Sequence, residues 1–397
     1  MIAARVVSSN VSSAVLRTAL IALSLAAALA APRPAAASTT PPTLAEFWDG
    51  RAEFVLDVQQ TGQPMGESDT LLQPDGSLRS YIHASHRSAL VTDSCGAPVE
   101  FPGCVVLLSS VDDGRSFHAS DAPKASTCLI PCTKCPCTSE HDHIDQQQYP
   151  RVVADGKTHW MVYEWRGRVY LRSSPDGLKW SNWTHVADSL HWKTWLRPCK
   201  PPENIGKHPF VDDGYECLRG GPPGLFVDAG VIYVFIPQGQ NPGSLGCFTR
   251  RADQPRARFT PCRSNPLFSG AASYGPLDTK DHAGARPFFD FRTVSSAEVV
   301  ALGAGENRRF YMLYEGIRGP GPGDPGDSQF GLGLARSMTP AIDGPWEKFP
   351  GNPILVDMPG NIGLGHADLV VISGTTYLYT SANGWTRGRF ELRWKGQ

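Results

Sequence analysis

Five segments of this 397-residue chain repeat one pattern: an apolar or alternating strand, a tight glycine turn, and a second strand rich in Tyr, Val and Leu. Asp75-Gly76 and Asp155-Gly156 supply the dipeptide that is typical of tight β-hairpins. The segments are spaced by 79, 74, 73 and 70 residues and begin at Leu71, Pro150, Gly224, Ala297 and Ala367. A repeat of this length, with three or four strands, is too long for a solenoid rung and is typical of a propeller blade. The sequence therefore predicts an all-β fold, a five-bladed β-propeller.

The ends of the repeats predict how the blades are held together. Three repeats end with Ser, a Gly-containing turn and an aromatic residue: SSVDDGRSF at 109–117, SSPDGLKW at 173–180 and ARSMTPAIDGPW at 335–346. We expect each aromatic ring to insert between neighbouring sheets. Because an open terminal sheet leaves an unpaired edge, residues 52–58 are predicted to complete blade five beside residues 389–394. A pair of immunoglobulin-like sandwiches is the alternative, but it would show turns roughly every 8 to 12 residues without the long period.

The charge balance argues against a nucleic-acid partner. Lys and Arg total 37 against 38 Asp and Glu, which gives a net charge of −1, and no long stretch of like charge occurs. A duplex nucleic-acid binder relies on a basic face that neutralises phosphates. The 40 Gly and 34 Pro indicate many turns, while the 41% hydrophobic fraction is too high for a disordered chain.

The N-terminal segment has the features of a secretory signal peptide. Two arginines precede or border an apolar run over residues 18–31, and residues 35–37 are the small alanines that a signal peptidase accepts. A membrane anchor is the alternative, but a bilayer helix needs about 20 apolar residues. We predict a signal peptide at 1–37, a single propeller domain at 38–397, and a secreted monomer, extracellular or periplasmic, with no membrane anchor.

Ten cysteines follow the predicted cleavage site, and in an oxidising compartment disulfide bonds are expected. The pairs closest in sequence are candidates for local bonds, although spacing alone does not define pairing: Cys95–Cys104, Cys199–Cys217 and Cys247–Cys262. A separate group lies just before the segment His141-Asp142-His143 and consists of Cys128, Cys132, Cys135 and Cys137. Zinc is the alternative for such a group, but an exported chain favours disulfides.

The entry to each repeat carries charged side chains. In a propeller the first strand of every blade lines the central channel, so the residues just ahead of the repeats are neighbours in space. Acids, histidines and arginines occupy these positions in the five blades: Glu67 and Asp69; His143 and Asp145; Glu216 and Arg219; Asp278, Asp281, His282 and Arg286; His366 and Asp368. Hydrolysis of a glycosidic bond needs an acid that protonates the leaving oxygen and a carboxylate that activates water or attacks carbon. This ring of residues can supply both.

At these positions the chain resembles the five-bladed glycosidase propellers of glycoside hydrolase family 43 and its relatives in families 32, 62, 68 and 130. The likeness covers all five repeats and is carried by Asp69 before LLQPDG, Asp145 before YPRVVADG, Tyr215-Glu216-Cys217 before GPPGLFVDAG, GPWEKFPGNPIL at 344–355 and GLGHADLVV at 363–371. The resemblance implies that Asp69 is the base or nucleophile, that Asp145 orients it, and that Glu216 is the acid.

The third repeat departs from the family pattern. The family places its acid immediately before the Gly-Pro that opens the blade, whereas here Arg219-Gly220-Gly221-Pro222 occupies that place. Glu216 lies several residues upstream, and Asp281 or Glu67 are the alternatives for the acid.

Further residues are predicted to bind the substrate, which we expect to be a carbohydrate: His143, Arg219, Asp281, His282, Arg286, Trp192, Trp195 and His366. Trp192 and Trp195 lie in a loop flanked by donors, where an indole can stack on a sugar ring. No cofactor or metal is required by this prediction. Calcium at the channel centre, near the three histidines, is an alternative to direct hydrogen bonding of sugar hydroxyls. Arg151, Arg286 and Arg389 are predicted to be ordinary surface arginines rather than ligands of an acidic sugar.

Two other functions remain as alternatives. A sialidase-like enzyme is suggested by the Ser-x-Asp-x-Gly-x-x-Phe box at residues 110–117, but sialidases have six blades and an arginine trio. A non-catalytic carbohydrate-binding propeller would keep the aromatic residues while its carboxylates fail to converge.

Overall fold

The computed structural model of the protein describes residues 40–61, 67–84, 91–99, 103–119, 126–144, 147–165, 168–187, 222–238, 244–270, 289–290, 293–317, 330–356, 364–380 and 386–396. The chain from Pro41 to Gln397 forms one compact unit. The predicted signal peptide at 1–37 lies outside the described residues. No helix in the described ranges is long and apolar enough to cross a membrane.

Five antiparallel sheets follow one another along the chain, which confirms the predicted five-bladed β-propeller. The chain opens with helix α1 (Leu44–Trp48) and strand β1 (Ala52–Thr61). Blade 1 contains β2 (Ser68–Leu72), β3 (Leu78–His83), β5 (Val105–Ser110) and β6 (His118–Ala119), with β4 (Val91–Thr92) and β7 (Ser126–Thr127) forming a small parallel sheet beside it. A short helix α2 (Ser139–Asp142) leads to blade 2, which contains β8 (Gln148–Asp155), β9 (Thr158–Trp165), β10 (Arg168–Ser174) and β11 (Thr184–Ala187).

The remaining three blades have the same order of strands. Blade 3 contains β12 (Gly224–Asp228), β13 (Val231–Gln238), β14 (Ser244–Arg251), β15 (Thr260–Pro261) and β16 (Phe268–Ser269). Blade 4 contains β17 (Thr293–Leu302), β18 (Arg309–Ile317), β19 (Phe330–Ser337), β20 (Trp346–Lys348) and β21 (Leu355–Val356), with the 3₁₀ turn Gly305–Asn307 between its first two strands. Blade 5 contains β22 (Asp368–Ile372), β23 (Thr375–Thr380) and β24 (Thr386–Trp394).

Local chemistry explains the first hairpin of each blade. In blade 1 the Asp75 carboxylate accepts hydrogen bonds from the backbone N and the Oγ of Ser77, at 2.9 and 2.6 Å. A glycine with positive φ lies in the connection between the first two strands of all five blades: Gly76, Gly156, Gly230, Gly303 and Gly374. Glycine adopts this conformation without the steric cost that a side chain imposes. The repeated glycines therefore set the repeated turn.

The N-terminal strand closes the ring. Strand β1 pairs with β24 along its length, from Ala52 opposite Trp394 to Thr61 opposite Thr386, and so becomes the outer strand of blade 5. This confirms the predicted seam between the two ends of the sequence. Helix α1 begins with a capping box in which Thr43 and Glu46 bond each other's backbone and side-chain groups.

In blades 1 and 2 the Ser, Gly and aromatic ending joins the blade to the one before it. In blade 1 the backbone N of Gly114 donates to Ser110 Oγ at 2.9 Å, and Tyr379 of blade 5 donates its hydroxyl to the Gly114 carbonyl at 3.0 Å. Phe117 packs edge-on against the same Tyr379. The next turn repeats the arrangement, because Tyr81 of blade 1 donates to the Gly177 carbonyl at 3.1 Å. The predicted insertion of aromatic residues between sheets is confirmed.

The disulfide bonds differ in part from the local pairs expected. Cys247–Cys262 is confirmed, but Cys95–Cys104 is wrong: Cys95 bonds Cys135, and Cys104 bonds Cys128. The reason is the parallel pairing of β4 with β7, which brings segments 91–99 and 126–137 together. Within the described residues the cysteine-rich group is held by disulfides, including Cys132–Cys137, as predicted over zinc. Cys199 and Cys217 lie outside the described residues.

Candidate active site

The inner strands converge on a hub of buried charges. Strand β2 contacts β22 and β8, and β12 contacts β8 and β17, so the first strands of neighbouring blades lie side by side. The inner strands of four of the five blades each carry one of these charges: Asp69 on β2, Arg151 on β8, Glu298 on β17 and Asp368 on β22. All four charged residues are buried or nearly buried. The fold thus collects three acids and one arginine around its axis.

A repeated backbone irregularity precedes three of these side chains. Tyr149, Ser296 and His366 have positive φ values of 54, 54 and 53° although none is glycine, and each lies two residues before a hub charge. In β8 and β17 the register of pairing shifts at the same place, as it does in a β-bulge. Bulges redirect side chains, and left-handed non-glycine residues are uncommon and concentrate at functional sites. The strand entries are therefore shaped to direct charge into the hub.

Asp69 is the sequence-predicted base, and it lies in this hub. Its side chain is 7% exposed, and one carboxylate oxygen accepts a hydrogen bond from the backbone N of Val152. Burial raises the pKa of Asp69 to about 7, and the nearby Asp368 adds to the rise while Arg151 opposes it. A carboxyl group with such a pKa can exchange a proton near neutral pH.

Glu298 is a second carboxyl group in the hub. Nη1 of the fully buried Arg151 lies 3.0 Å from Glu298 Oε2 and 4.0 Å from Asp69 Oδ1. Because both distances, 4.0 and 3.0 Å, are measured from Arg151 Nη1, the two carboxyl oxygens are at most 7 Å apart. Burial, and after it the neighbouring Asp69, raises the pKa of Glu298 well above its usual 4.5. One arginine nitrogen therefore lies close to two carboxyl groups whose pKa values are both raised.

Arg151 itself is anchored on three sides. Besides Glu298 it donates to the carbonyl of Ala367, and its Nη2 donates to the carbonyl and hydroxyl oxygens of Ser296, at 3.1 and 2.9 Å. The prediction that Arg151 and Arg389 are ordinary surface residues is wrong. Arg389 is also buried and pairs with Asp57 at 2.8 Å in the seam of blade 5. Both arginines are covered because neighbouring blades pack over them.

Asp368 has a different environment from the other two acids. It accepts hydrogen bonds from Ser68 Oγ at 2.9 Å and from the backbone N and hydroxyl of Thr70 at 2.9 and 2.7 Å. It also pairs with the fully buried Arg387 at 2.6 Å. This carboxylate is compensated by its own cation and by hydroxyl groups, so we assign it to the joint between blades 5 and 1.

His366 is buried, and both of its ring nitrogens are engaged. Nδ1 lies 2.8 Å from Ser296 Oγ, and Nε2 lies 3.3 Å from the Pro150 carbonyl. Its backbone N donates to Glu315 Oε2 at 3.0 Å. Burial and then the charge of Arg151 lower the pKa of His366 well below 6.5, so the ring is neutral. Because the carbonyl only accepts, Nε2 carries the proton.

The histidines that the structure describes do not favour the alternative of calcium at the channel centre. His366 has no free ring nitrogen, and His143 lies in an aromatic cluster, 2.9 Å from the Tyr163 hydroxyl and stacked on Trp165 at 4.2 Å. In the described part of the chain, the groups of three or more His, Cys, Asp or Glu close enough to share an ion include disulfide-bonded cysteines. A calcium site involving His282 stays a prediction outside these residues.

Most of the other predicted site residues lie outside the described residues: Asp145, Glu216, Arg219, Asp281, His282, Arg286, Trp192 and Trp195. Of the alternatives for the acid, Glu67 is described, and it pairs with His83 Nδ1 at 2.9 Å. The structure brings Asp69 and His366 to the same hub through Arg151 and Ser296, whereas His143 shares no described contact with them.

The sequence reasoning missed Glu298, Arg151 and Glu315 as site residues. A signal for the first two was present, because Pro150-Arg151-Val152 and Ala297-Glu298-Val299 place a charge at the same repeat position as Ala367-Asp368-Leu369. Glu315 carried no such signal. It lies on the second strand of blade 4, and only the pairing of β17 with β18 places it opposite Ser295.

Fold and site together define a five-bladed β-propeller with a buried acidic hub. No protein-family model matches the chain, and no curated protein is significantly similar to it in sequence. Among solved structures it is similar to a glycosyl hydrolase from Bacteroides ovatus, with a TM-score of 0.51 and 14% identity over 91% of this chain and 94% of that one. It is also similar to the catalytic domain of a GH62 α-L-arabinofuranosidase from Coprinopsis cinerea, with a TM-score of 0.49 and 13% identity over 86% and 96% of the two chains.

At these identities the likeness concerns the fold alone. The sequence-predicted resemblance to the glycosidase propellers is confirmed at that level.

Proposed function

We propose that the protein is a glycoside hydrolase whose hub carboxyl groups, Asp69 and Glu298, perform acid/base catalysis. The observation that carries this proposal is the approach of both groups to one Arg151 nitrogen, at 4.0 and 3.0 Å. Two carboxyl groups that flank a glycosidic bond are separated by about 5 to 5.5 Å in retaining enzymes and about 6.5 to 9.5 Å in inverting ones. An upper limit of 7 Å between two of their oxygens is compatible with either outcome.

The surroundings of the two groups differ in a way that assigns their roles. The backbone N–H of Val152 stabilises the ionised form of Asp69, which suits a base. Glu298 has Arg151 as its described hydrogen-bond partner, and its burial favours the protonated form, which suits an acid. Because a single arginine compensates only one negative charge, two neighbouring acids with one cation share a proton. The pair is then ready with one donor and one acceptor of protons.

In the proposed reaction Glu298 donates its proton to the glycosidic oxygen as the bond from the anomeric carbon to that oxygen breaks. Asp69 takes a proton from the water that bonds to the anomeric carbon in an inverting reaction, or attacks the carbon itself in a retaining one. Asp145 as the orienting carboxylate and Glu216 as the acid remain predictions from the family resemblance. Glu298 and Glu216 are therefore competing candidates for one role.

Secretion of this hydrolase is part of the proposal. The predicted signal peptide and the four disulfide bonds of the described residues support it. The similar structure from Bacteroides ovatus is that of a glycosyl hydrolase, which supports glycoside hydrolysis as the proposed reaction class. We propose a polysaccharide or oligosaccharide of plant or microbial cell walls as the substrate.

A screen with aryl glycosides and polysaccharides tests the proposal. Once a substrate is found, we expect Asp69→Asn and Glu298→Gln each to lower turnover about 100-fold or more, because acid/base groups contribute that much. Glu216→Gln, measured in parallel, separates the two candidate acids. Asp253→Asn is the matched control, since this carboxylate is 64% exposed and pairs with Arg251 on the outside of blade 3.

Full activity of Asp69→Asn would contradict the mechanism, and full activity of Glu298→Gln with loss in Glu216→Gln would transfer the acid role to Glu216. Circular dichroism and the unfolding midpoint of each variant show whether the fold is intact.

A non-catalytic carbohydrate-binding propeller is the second candidate. The two carboxyl side chains are little exposed, 7% for Asp69 and 14% for Glu298. Catalysis requires a substrate to reach them, so this low exposure favours a binder over an enzyme. Binding of a polysaccharide without release of reducing ends, over the whole screen, would decide for the binder.

A further inference from the structure

A cavity lies at the outer edge of blade 2, away from the hub. Its volume is about 340 Å³, and it lies between the outer strands of that blade and the disulfide-bonded segment that precedes it. Thr133, His141, Arg172, Asn182 and Trp183 are among the residues that line it. Strand β11, which follows Trp183, is the outermost strand of the blade, whereas the hub is lined by the innermost strand, β8. The cavity is therefore distinct from the proposed active site.

Trp183 lines the cavity and is the end ring of a stack of three aromatic rings. Trp183 stacks on His143 at 5.1 Å and 23°, and His143 stacks on Trp165 at 4.2 Å and 13°. The indole Nε1 of Trp183 donates to the His141 carbonyl at 3.1 Å, which fixes the orientation of the ring. Trp183 is nevertheless 38% exposed. A large apolar ring is thus held rigidly with part of its surface uncovered, and such rings supply binding area at a low entropic cost.

Two polar side chains with unused hydrogen-bonding capacity, Arg172 and Asn182, line the same cavity. Arg172 is only 6% exposed, and it donates through Nε to the Tyr163 hydroxyl at 3.1 Å and through Nη1 to the Ser181 carbonyl at 2.8 Å. Among the described residues no group accepts from its Nη2, although the side chain lines the cavity. The side-chain amide of Asn182 likewise makes no hydrogen bond in the described part of the chain.

The cavity walls are fixed before any ligand arrives. The carboxylate of the buried Asp142 accepts hydrogen bonds from the backbone N of Thr133 and Thr138, both at 2.9 Å, and from the Thr133 hydroxyl at 2.6 Å. The Cys132–Cys137 disulfide closes the same loop. His141, with a side chain 60% exposed, is positioned by its contact with the Thr133 hydroxyl at 2.9 Å. Preorganised walls lower the entropic cost of binding.

We propose that this cavity is a second carbohydrate-binding site, in which a sugar ring of the polysaccharide stacks on Trp183 while Arg172 and Asn182 bond its hydroxyl groups. The chemistry matches because a sugar ring presents an apolar face of C–H groups and a rim of hydroxyl donors and acceptors. The proposal rests on the proposed function only for the choice of a carbohydrate. It places a docking site on the rim of the propeller that holds a long chain while the hub acts on it.

Affinity electrophoresis tests the site, with arabinan, xylan or polygalacturonate in the gel and Asp69→Asn as the parent chain so that the polysaccharide stays intact. We expect at least one polysaccharide to retard the parent, and Trp183→Ala to weaken the apparent affinity about tenfold or more, as loss of a central aromatic anchor does. Asn182→Ala should weaken it less, and Trp183→Phe should retain part of it because a ring remains. Retardation by polygalacturonate alone would identify an acidic sugar as the ligand, bonded by Arg172.

Trp394→Ala is the matched control, since it removes an indole from the last strand of blade 5. The proposal is overturned if no polysaccharide retards the parent, if Trp183→Ala binds like the parent, or if Trp394→Ala weakens binding equally. If Trp183→Ala does not fold, the apparent affinities of Asn182→Ala and Trp183→Phe test the site instead, and parent-like binding by both overturns the proposal. The same measurements on a chain with native Asp69 separate the two proposals. Retardation that depends on Trp183 without any cleavage would support this site and contradict the hydrolase. Cleavage without such retardation would support the hydrolase and contradict this site.

Discussion

The hub residues show how burial and the blades set the chemistry of single side chains. Asp69, Glu298 and Glu315 all have raised pKa values, and burial is the main cause in each case. Glu315 accepts hydrogen bonds from the backbone N of His366 at 3.0 Å and from Ser295 Oγ at 3.2 Å, yet burial outweighs them and raises its pKa to about 7. The folded protein thus holds protons that the unfolded chain releases.

This proton linkage predicts the effect of Glu315→Gln on stability. Between its ordinary pKa of 4.5 and about 7 the folded chain binds more protons than the unfolded one, so the wild type loses stability as pH rises through this window. The neutral glutamine removes that loss. We expect the variant to be close to the wild type at pH 4 and more stable by about 3 kcal/mol at pH 8, from denaturant unfolding.

Glu347→Gln, at a side chain that is 39% exposed, controls for the change of charge. An equal stability difference at both pH values would mean that Glu315 does not retain its proton on folding.

At the residue scale the candidate site was only partly predictable. Asp69 and His366 were found because each lies just ahead of a repeat, where propeller geometry directs side chains to the axis. Glu298 was missed although Asp368 occupies the same position of its repeat, because the alternation of a strand alone does not say which face meets the axis. The bulge at Ser296 decides that orientation, and a positive φ at a serine is not visible in a sequence.

The element that joins neighbouring blades is the turn that contains Gly114 or Gly177. Gly114 has a φ of 76°, and a Cβ atom there would lie 1.9 Å from the Tyr379 hydroxyl oxygen of blade 5. The glycine therefore serves both the backbone conformation and the approach of the neighbouring sheet. Three of the five blades carry this ending in their sequence, which is why the aromatic insertion was predictable from the pattern.

Two glycine substitutions separate these contributions. Gly76 also has positive φ, at 85°, but a Cβ atom there would meet nothing within 4 Å. Gly76→Ala should cost about 1 kcal/mol of unfolding free energy, which is the cost of left-handed backbone for alanine. Gly114→Ala should cost about 1 to 3 kcal/mol more, because it also forces Tyr379 away and breaks its hydrogen bond. Equal losses in denaturant unfolding would show that this contact does not stabilise the junction.

The whole molecule depends on closure of the ring by β1. This strand bonds the edge of β24, and Ala52 and Leu44 enter the same apolar cluster as Leu313, Leu378 and other residues of blades 4 and 5. Arg389 of β24 pairs with Asp57 of β1 at 2.8 Å. Without β1 the last blade would expose an unpaired strand edge, which favours association between chains.

Deletion of residues 1–61 tests this closure. We expect the unfolding midpoint to fall by about 10 °C, because several kcal/mol of pairing and packing are lost, and oligomers to appear in size-exclusion chromatography. A synthetic peptide of residues 52–61 should restore both properties when added in excess. A chain that begins at residue 40 is the control, and an unchanged midpoint after the longer deletion would contradict the role of β1.

The sequence by itself determined the blade count, the hairpins, the junction turns and the seam, because each depends on local turn chemistry, on alternation along a strand, or on the need to pair both ends of a ring. Only the tertiary structure decided which charges meet at the hub and which cysteines bond. Those outcomes depend on bulges at strand entries and on the parallel pairing of β4 with β7, where segments distant in the chain approach each other. Spacing along a sequence carries no record of such approaches, since they follow from how the blades pack.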